Sequence, residues 1–245
     1  MLVARGFAVY GASRRPPASA ELAWTWVRMD VCDEGAVRDG IARILAERGQ
    51  LDALVCNAGF GIFGSIEETG LPRVRAQFET NVFGTLNPIR AVLPHMRERR
   101  QGRIVIVGSL AGRAPIPFQV HYSMTKAAMD ALAMGLRLEV APFGIGVILV
   151  EPGDIQTAFN EATDWGDVSP SVYGERLRAC EQVIRESLPK APGPELVASV
   201  IVRALVARRP RRRYTVGPAA RLVPLGRRLL PDRVQERLLR WHFRV

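Results

Sequence analysis

A tyrosine and a lysine stand four residues apart in the stretch Tyr122-Ser-Met-Thr-Lys126. Four residues make about one turn of an α-helix, so both side chains share one face of the predicted helix. A free phenol has a pKa near about 10, and a neighbouring ammonium is expected to lower it. Tyr122 could then act as a general acid or base near neutral pH. The Ser109 hydroxyl is suited to hold a carbonyl oxygen, so the set favours interconversion of a carbonyl and an alcohol.

The basic residues of the chain are almost all arginines. Lysine and arginine together number 34, and only Lys126 and Lys190 are lysines. A lysine in such a sequence indicates a site that needs a compact ammonium rather than a planar guanidinium. Lys126 is therefore a candidate catalytic residue.

Short apolar runs alternate with helical patterns along the chain. Strands are predicted over 7–10, 24–29, 51–56, 103–107, 146–150 and 213–216. Helices are predicted over 33–48, 72–100, 122–140, 172–188 and 195–208, with bends or boundaries at Pro88 and Pro94. This alternation predicts a single α/β domain, a Rossmann-like doubly wound parallel sheet covered by helices on both faces. Ligands of such sheets bind beyond the carboxyl ends of the strands.

Composition narrows the class of protein. A chain of 245 residues, 48% of them hydrophobic, fits one domain with a sizeable core. We recognise no membrane span, no secretory signal and no metal-ligand spacing among the three cysteines, so we expect a cytoplasmic protein without a metal. We interpret the net charge of +10 as solvated surface rather than as a nucleic-acid site, for which charge is the only support.

Six motifs occur in order, each at the end of a predicted element. They are Asp30-Val31, Asn57-Ala58-Gly59, Asn81 within Thr80-Asn81-Val82-Phe83-Gly84, Gly108-Ser109, Tyr122-Ser-Met-Thr-Lys126, and Pro152-Gly153 with Thr157. Each motif alone is a weak signal. Together they resemble the short-chain dehydrogenase/reductase family, and the resemblance runs from residue 3 to residue 217. It implies an enzyme that transfers a hydride between a nicotinamide cofactor and a small carbonyl or alcohol.

The resemblance implies roles for these residues. Tyr122 would be the proton donor or acceptor, and Lys126 would lower its pKa and hold the nicotinamide ribose. Ser109 would bond the substrate oxygen, and Asn81 would help hold a water that relays protons towards Lys126. The further cofactor contacts would be Asp30 at the adenine ring, Asn57, Ala58 and Gly59 along the cofactor, and Ile155 and Thr157 at the nicotinamide end.

The region that follows the first predicted strand favours NADP over NAD. An NAD enzyme carries an acid there that bonds the ribose hydroxyls, whereas an arginine accommodates a 2′-phosphate. This sequence has no acid in Gly11-Ala12-Ser13-Arg14-Arg15. Arg14 is therefore the expected phosphate partner.

One family feature is not found in the sequence. The family begins with a strand and a Thr-Gly-x-x-x-Gly-x-Gly turn that cradles the pyrophosphate, and no such turn is present. We expect that a first strand, this turn and a helix, roughly 20–25 residues, precede the printed start. The alternative is a short form that binds no cofactor, a catalytically silent protein that binds a ligand or partner.

Two further segments bear on the substrate and on partners. The insertion over 157–194 is expected to shape an apolar pocket with Phe159, Trp165 and Val172. We interpret residues 1–217 as the catalytic domain and 218–245 as a basic amphipathic extension. Such an extension packs on its own domain, covers a pocket, contacts a second subunit of a homo-oligomer, or lies on a membrane surface.

Overall fold

Six β-strands alternate with α-helices in the computed structural model, which describes residues 1–17, 21–161, 163–166, 171–220 and 222–245. The strands are β1 (Tyr10–Ser13), β2 (Thr25–Arg28), β3 (Ala53–Cys56), β4 (Gly102–Val107), β5 (Ile145–Pro152) and β6 (Arg213–Val216). The helices are α1 (Glu34–Arg48), α2 (Leu71–Phe78), α3 (Gly84–Arg99), α4 (Val120–Val140), α5 (Ala158–Glu161), α6 (Gly174–Ser187), α7 (Pro194–Val206), α8 (Leu222–Leu229) and α9 (Asp232–Phe243). The strand predicted over 213–216 has the predicted bounds, the other strands and helices are shifted, and the helix predicted over 72–100 is divided into α2 and α3. Strand β1 begins where the strand predicted over 7–10 was expected to end.

The strands pair in parallel and form two sheets within the described residues. Strands β3, β4, β5 and β6 are hydrogen bonded in that order, and β1 pairs with β2. Neither β1 nor β3 has a second partner strand among these residues. The predicted parallel sheet is therefore divided between β1 and β3.

Helices pack on both faces of the four-stranded sheet. Ile104 and Ile106 of β4 belong to an apolar cluster with residues of α1, α3 and α4. Val105 of β4 and Ile148 of β5 belong to a second cluster with α7. Because successive strand residues point to opposite faces, both faces are apolar and both are covered. The architecture is a single-domain, Rossmann-like α/β fold, as predicted.

The prediction for the helical stretch before β4 is wrong in one detail, the boundaries expected at its prolines. Pro88 and Pro94 lie inside α3 and do not end it. The helix persists because Ile89 and Met96 are fully packed against the sheet, and tertiary burial outweighs the unfavourable prolines. The irregularity lies instead at Glu79–Phe83, a π-helical turn between α2 and α3. This turn contains Asn81, and such turns are frequent at functional sites.

The insertion after β5 forms α5 and α6, and its residues 162 and 167–170 lie outside the described part. Trp165 packs against Phe63 with 5.2 Å between ring centroids. Val172 is 90% exposed, so the expectation that it lines an apolar pocket is wrong. Its position before α6 leaves it on the surface.

The carboxyl-terminal residues form α8 and α9. Helix α9 packs through Leu239 and Phe243 on a cluster that includes Leu177 and Cys180 of α6. Among the described helices, none combines the length and the apolar character needed to cross a membrane.

Candidate active site

Tyr122 and Lys126 lie one turn apart near the start of α4, as their spacing predicts. Lys126 is buried, with 7% of its surface exposed. Its Nζ lies 5.6 Å from the centroid of the Tyr122 ring and donates a hydrogen bond of 2.9 Å to the Val107 carbonyl. Val107 ends β4, so the ammonium and the phenol lie together at the carboxyl end of the sheet.

Burial shifts both groups towards their neutral forms. It raises the pKa of the Tyr122 phenol to about 12, although a hydrogen bond with the Ser109 side chain acts in the opposite direction. It lowers the pKa of the Lys126 ammonium to about 8. Loss of solvation dominates at both groups, and the role of Lys126 in lowering the phenol pKa stays a prediction. At neutral pH the phenol is protonated and can donate its proton.

Ser109 follows β4 and lies within reach of the phenol. Its hydroxyl acts to lower the pKa of the nearby Tyr122 phenol, and its Oγ accepts a hydrogen bond of 3.1 Å from the Ala111 amide. Gly112 lies in the same turn, where a Cβ would approach the Lys126 backbone to 2.8 Å. A larger residue at position 112 would push this turn away from α4. The close packing therefore holds the hydroxyl beside the phenol.

Asn81 ties the turn after β3 to α4. Its Oδ1 accepts a hydrogen bond from the Phe60 amide, and its Nδ2 donates to the Phe60 carbonyl and to Thr125 Oγ1, each at 3.0 Å. Thr125 in turn donates to the Tyr122 carbonyl at 2.7 Å. A Cβ at Gly59 would lie 3.0 Å from Asn81 Oδ1, so the absence of a side chain permits this approach. Asn81, with 1% exposure, thus positions the predicted cofactor turn at Asn57, Ala58 and Gly59 relative to Tyr122.

The residues predicted to meet the adenosine end lie after β1 and β2. Arg14 follows the end of β1 and is exposed. Ser13 Oγ accepts a hydrogen bond of 2.9 Å from Trp26 Nε1, which joins the two strand ends. Asp30 Oδ1 accepts a hydrogen bond of 3.0 Å from the Cys32 amide. The carboxylate of Asp30 therefore stabilises the turn into α1.

The residues predicted at the nicotinamide end follow β5. Ile155 is buried, and Thr157 Oγ1 accepts a hydrogen bond of 3.3 Å from the Phe159 amide. The Phe159 ring lies 5.4 Å from the Tyr122 ring. The segment that carries Ile155 and Thr157 therefore runs next to the phenol.

Comparison with known proteins identifies the family. The family model for short chain dehydrogenases matches residues 2–166. The 3-ketodihydrosphingosine reductase of Bacteroides thetaiotaomicron is 33% identical over 248 aligned positions, covering 100% of this chain and 92% of that protein. The chain belongs to the short-chain dehydrogenase/reductase family.

Two solved structures agree with the fold. A short-chain dehydrogenase from Streptomyces avermitilis superposes with a TM-score of 0.82 at 35% identity, over 98% of this chain and 88% of that chain. ElxO, in its structure with NADP bound, superposes with a TM-score of 0.61 at 29% identity, over 65% of this chain and 69% of that chain. As a member of this family, the protein is an oxidoreductase of hydride-transfer type that acts on small molecules.

The nicotinamide cofactor that this short-chain dehydrogenase implies can be tested against the residues present. The Lys126 ammonium has three donors, and its one hydrogen bond in the described structure is to the Val107 carbonyl. A buried ammonium with free donors suits the hydroxyls of a ribose. Exposed Arg14 suits a phosphate. Residues suited to the ribose at one end of the dinucleotide and to the phosphate at the other end are therefore present. The printed sequence offers no glycine-rich turn for the pyrophosphate.

Sequence reasoning missed two groups that support this dehydrogenase site. Thr125 links Asn81 to α4, and its position four residues after buried His121 could have marked it as inward-facing. Glu151, 1% exposed, accepts hydrogen bonds from Arg113 at 2.9 Å and from Arg213 at 2.7 Å. No spacing rule connects these three residues, so only the fold reveals their ion pairs. Within the described residues, no group of three acidic, histidine or cysteine side chains could hold a metal.

An apolar cavity of about 360 Å³ lies beside the segment that leads into α4 of this short-chain dehydrogenase. Its lining includes Ile66, Phe118, Val120, Tyr173 and Val245. Phe118 adopts the left-handed backbone region with φ of 58°, and its ring meets that of Tyr173 edge-on. A bulky residue held in this region is strained, and such strain is concentrated at functional sites. The cavity is a candidate for binding an apolar group.

Proposed function

We propose that this protein transfers a hydride between NADP(H) and a lipophilic carbonyl or alcohol. The observation that carries the proposal is the Tyr122 phenol, with the Ser109 hydroxyl nearby and the buried Lys126 Nζ 5.6 Å from the centroid of its ring. These residues are the proposed catalytic set, with Asn81 holding the neighbouring cofactor turn.

The protonation states favour the direction of reduction. The phenol pKa of about 12 keeps Tyr122 protonated at neutral pH, so it donates its proton to a carbonyl oxygen that gains charge. The Ser109 hydroxyl orients that oxygen, and Lys126 stabilises the phenolate left behind. NADPH, when bound, supplies the hydride. Asn81 is proposed to help hold the water that returns a proton towards Lys126.

The proposed cofactor preference rests on the end of β1. An exposed arginine, Arg14, follows this strand, and no acid lies there to bond ribose hydroxyls. Support also comes from ElxO, a relative at 29% identity whose structure holds NADP. Asp30, the residues at 57–59, Ile155 and Thr157 are the other proposed cofactor contacts.

The proposed lipophilic substrate rests on the surroundings of the phenol. Phe159 covers the Tyr122 ring, and the cavity beside α4 is lined by Phe118 and Val120. Mostly apolar pockets with a few polar groups are typical of small-molecule sites. The ketone named for the Bacteroides relative, 3-ketodihydrosphingosine, belongs to this chemical class.

The second proposed function is that of a catalytically silent binding protein, which keeps the cavity and Tyr122 but holds no dinucleotide. Its support is the division of the sheet between β1 and β3 within the described residues.

A comparison of two proteins separates these functions. One is the 245-residue chain, and the other is an extended chain with a strand, a Thr-Gly-x-x-x-Gly-x-Gly turn and a helix fused before Met1. Both are titrated with NADPH and NADH and then assayed with a panel of long-chain and cyclic ketones. We expect weak NADPH binding by the first, tight binding and NADPH consumption by the second, and weaker binding of NADH. Failure of both proteins to bind NADPH would favour the silent protein.

A further inference from the structure

Helix α9 carries an apolar stripe that faces solvent. Val234, Leu238 and Trp241 are spaced by four and three residues, so they share one face, and Trp241 is 80% exposed. The opposite side of the helix packs inward through Leu239 and Phe243. The inward contacts hold the helix on the domain, and the outward stripe remains uncovered in the described structure.

Helix α8 adds a second uncovered apolar stripe. Leu222, Leu225 and Leu229 are spaced by three and four residues and are all exposed. Single exposed leucines are ordinary, but aligned sets on two successive helices are not. We call the six outward residues of α8 and α9 the tail surface. They are Leu222, Leu225, Leu229, Val234, Leu238 and Trp241.

An arginine stripe runs along α9 beside this surface. Arg233, Arg237 and Arg240 are exposed and are spaced by four and three residues, so they lie side by side. None of the three forms an ion pair within the part of the chain that the structure describes. Residues 222–245 hold six arginines against Asp232 and Glu236, so the tail is strongly basic.

We propose that the tail surface docks on an anionic membrane, with its leucines and Trp241 at the headgroup boundary and its arginines on lipid phosphates. An interfacial helix combines such an apolar face with a basic flank. Lipid phosphates complement the charge of the arginines, and each basic residue near an anionic leaflet adds to binding. Tryptophan is favoured at this boundary because its ring is apolar and its N–H is polar.

A second copy of the chain fits this surface less well. A two-fold symmetric contact presents the same patch from both subunits, so each arginine stripe would meet or flank the other. Such a contact places like charges together without enough acids to offset them.

The location of the tail suggests why membrane docking would help the reaction, an argument that rests on the proposed function. Val245, directly after α9, lines the apolar cavity beside α4. The tail surface would thus hold that cavity near the lipid from which a lipophilic substrate is drawn.

Vesicle sedimentation without cofactor or substrate tests the docking separately from the reaction. The 245-residue chain is mixed with vesicles of phosphatidylcholine that contain about one third phosphatidylglycerol, and with pure phosphatidylcholine vesicles. We expect clear preference for the anionic vesicles. Raising NaCl from about 0.1 M to about 1 M, which shortens the Debye length to about 3 Å, should release the protein.

Two variants separate the apolar and the charged parts. Leu238→Ser with Trp241→Ser should reduce binding to anionic vesicles at least about tenfold. Arg233→Gln, Arg237→Gln and Arg240→Gln together should reduce it about 100-fold, since each arginine contributes about fivefold. The matched controls are Leu71→Ser with Val172→Ser, and Arg75→Gln, Arg208→Gln with Arg209→Gln, which change exposed residues elsewhere. The controls should bind like the unchanged chain.

Three results would overturn the proposal. The first is equal binding to anionic and neutral vesicles, or no binding to either. The second is a concentration-dependent dimer in sedimentation equilibrium that the Trp241→Ser substitution dissociates, together with no binding to vesicles. That result would assign the tail surface to contact with a second copy of the chain. The third is retention on duplex DNA that needs the three arginines but not Leu238 and Trp241, without vesicle binding.

Discussion

Lys126 carries an ammonium that solvent barely reaches, and burial lowers its pKa from the ordinary 10.5 to about 8. The lowered pKa means that folding costs about 3 kcal/mol at neutral pH, because the protonated lysine must be buried. The hydrogen bond to Val107 offsets about 1 kcal/mol of this cost. The residue thus weakens the fold, as is expected of a group kept for function rather than for stability.

Replacement of Lys126 by Met should therefore stabilise the protein at pH 7 by about 2 kcal/mol in urea unfolding. The unfolded lysine stays protonated up to about pH 10.5, while the folded one loses its proton near pH 8. The cost of burying the protonated lysine disappears between about pH 8 and about pH 10.5. The difference in the free energy of unfolding between the variant and the unchanged protein therefore shrinks as pH rises through this range. The effect of Tyr122, whose raised pKa lowers stability above pH 10, is common to both proteins.

The control for this measurement is Lys190→Met. Lys190 is the other lysine and is exposed, so its replacement should leave the free energy of unfolding nearly unchanged. A Lys126→Met protein that is less stable than the original at every pH would contradict the burial argument.

The residues that gather at the site could be predicted from sequence, but their protonation could not. Tyr122, Lys126 and Ser109 meet because a helix turn and a strand end place them together. The rise in the phenol pKa comes from burial, which depends on every segment that covers the ring, Phe159 among them. The spacing of residues in the sequence does not indicate how deeply the Tyr122 ring is buried.

At the scale of elements, Asn81 joins the π-helical turn to α4 and to the segment after β3. Asn81→Ala leaves the partly buried Phe60 amide without its partner and should lower the free energy of unfolding by about 2 kcal/mol. Hydrogen exchange at the Phe60 amide should accelerate. Asn87→Ala, which removes a single bond to the Val31 carbonyl, is the control and should cost about 1 kcal/mol without that acceleration. Unchanged protection of Phe60 in the Asn81 variant would refute this role.

A second junction of elements depends on Glu151 at the end of β5. It neutralises Arg113 after β4 and Arg213 of β6, and Arg213 also pairs with Asp130 of α4. Glu151→Gln leaves Arg113 without its buried counter-charge and Arg213 with Asp130 alone, and it should destabilise the fold by about 3 kcal/mol in urea unfolding. Glu47→Gln, which breaks the exposed pair with Arg43, should cost about 0.5 kcal/mol. Equal effects of the two changes would disprove the importance of the buried cluster.

The identity of most elements follows from apolar periodicity, while their bounds depend on tertiary packing. Local propensity predicted bends or boundaries at Pro88 and Pro94, but the burial of Ile89 and Met96 keeps α3 continuous through both prolines. The start of β1 was misplaced because Phe7 is apolar yet lies outside the strand. The ion pairs of Glu151 join residues distant in sequence, which no local pattern indicates.

At the scale of the whole molecule, three parts of the structure bear on the proposed function. The carboxyl ends of β4 and β5 carry the proposed reaction, Phe118 and Val120 line the cavity beside the segment that leads into α4, and Val245 after α9 lines the same cavity. The sheet is divided between β1, which precedes Arg14, and β3, which precedes the proposed cofactor contacts at 57–59. The extended chain should therefore differ from the 245-residue chain in NADPH affinity more than in the geometry around Tyr122.

The most direct measurement compares the extended chain with its Tyr122→Phe variant, using NADPH fluorescence for binding and NADPH consumption with a reactive ketone for turnover. The variant loses only the phenolic oxygen, so NADPH should still bind within about twofold while turnover falls by at least about 1,000-fold. Turnover that survives the loss of the hydroxyl would contradict the assignment of Tyr122 as the proton donor.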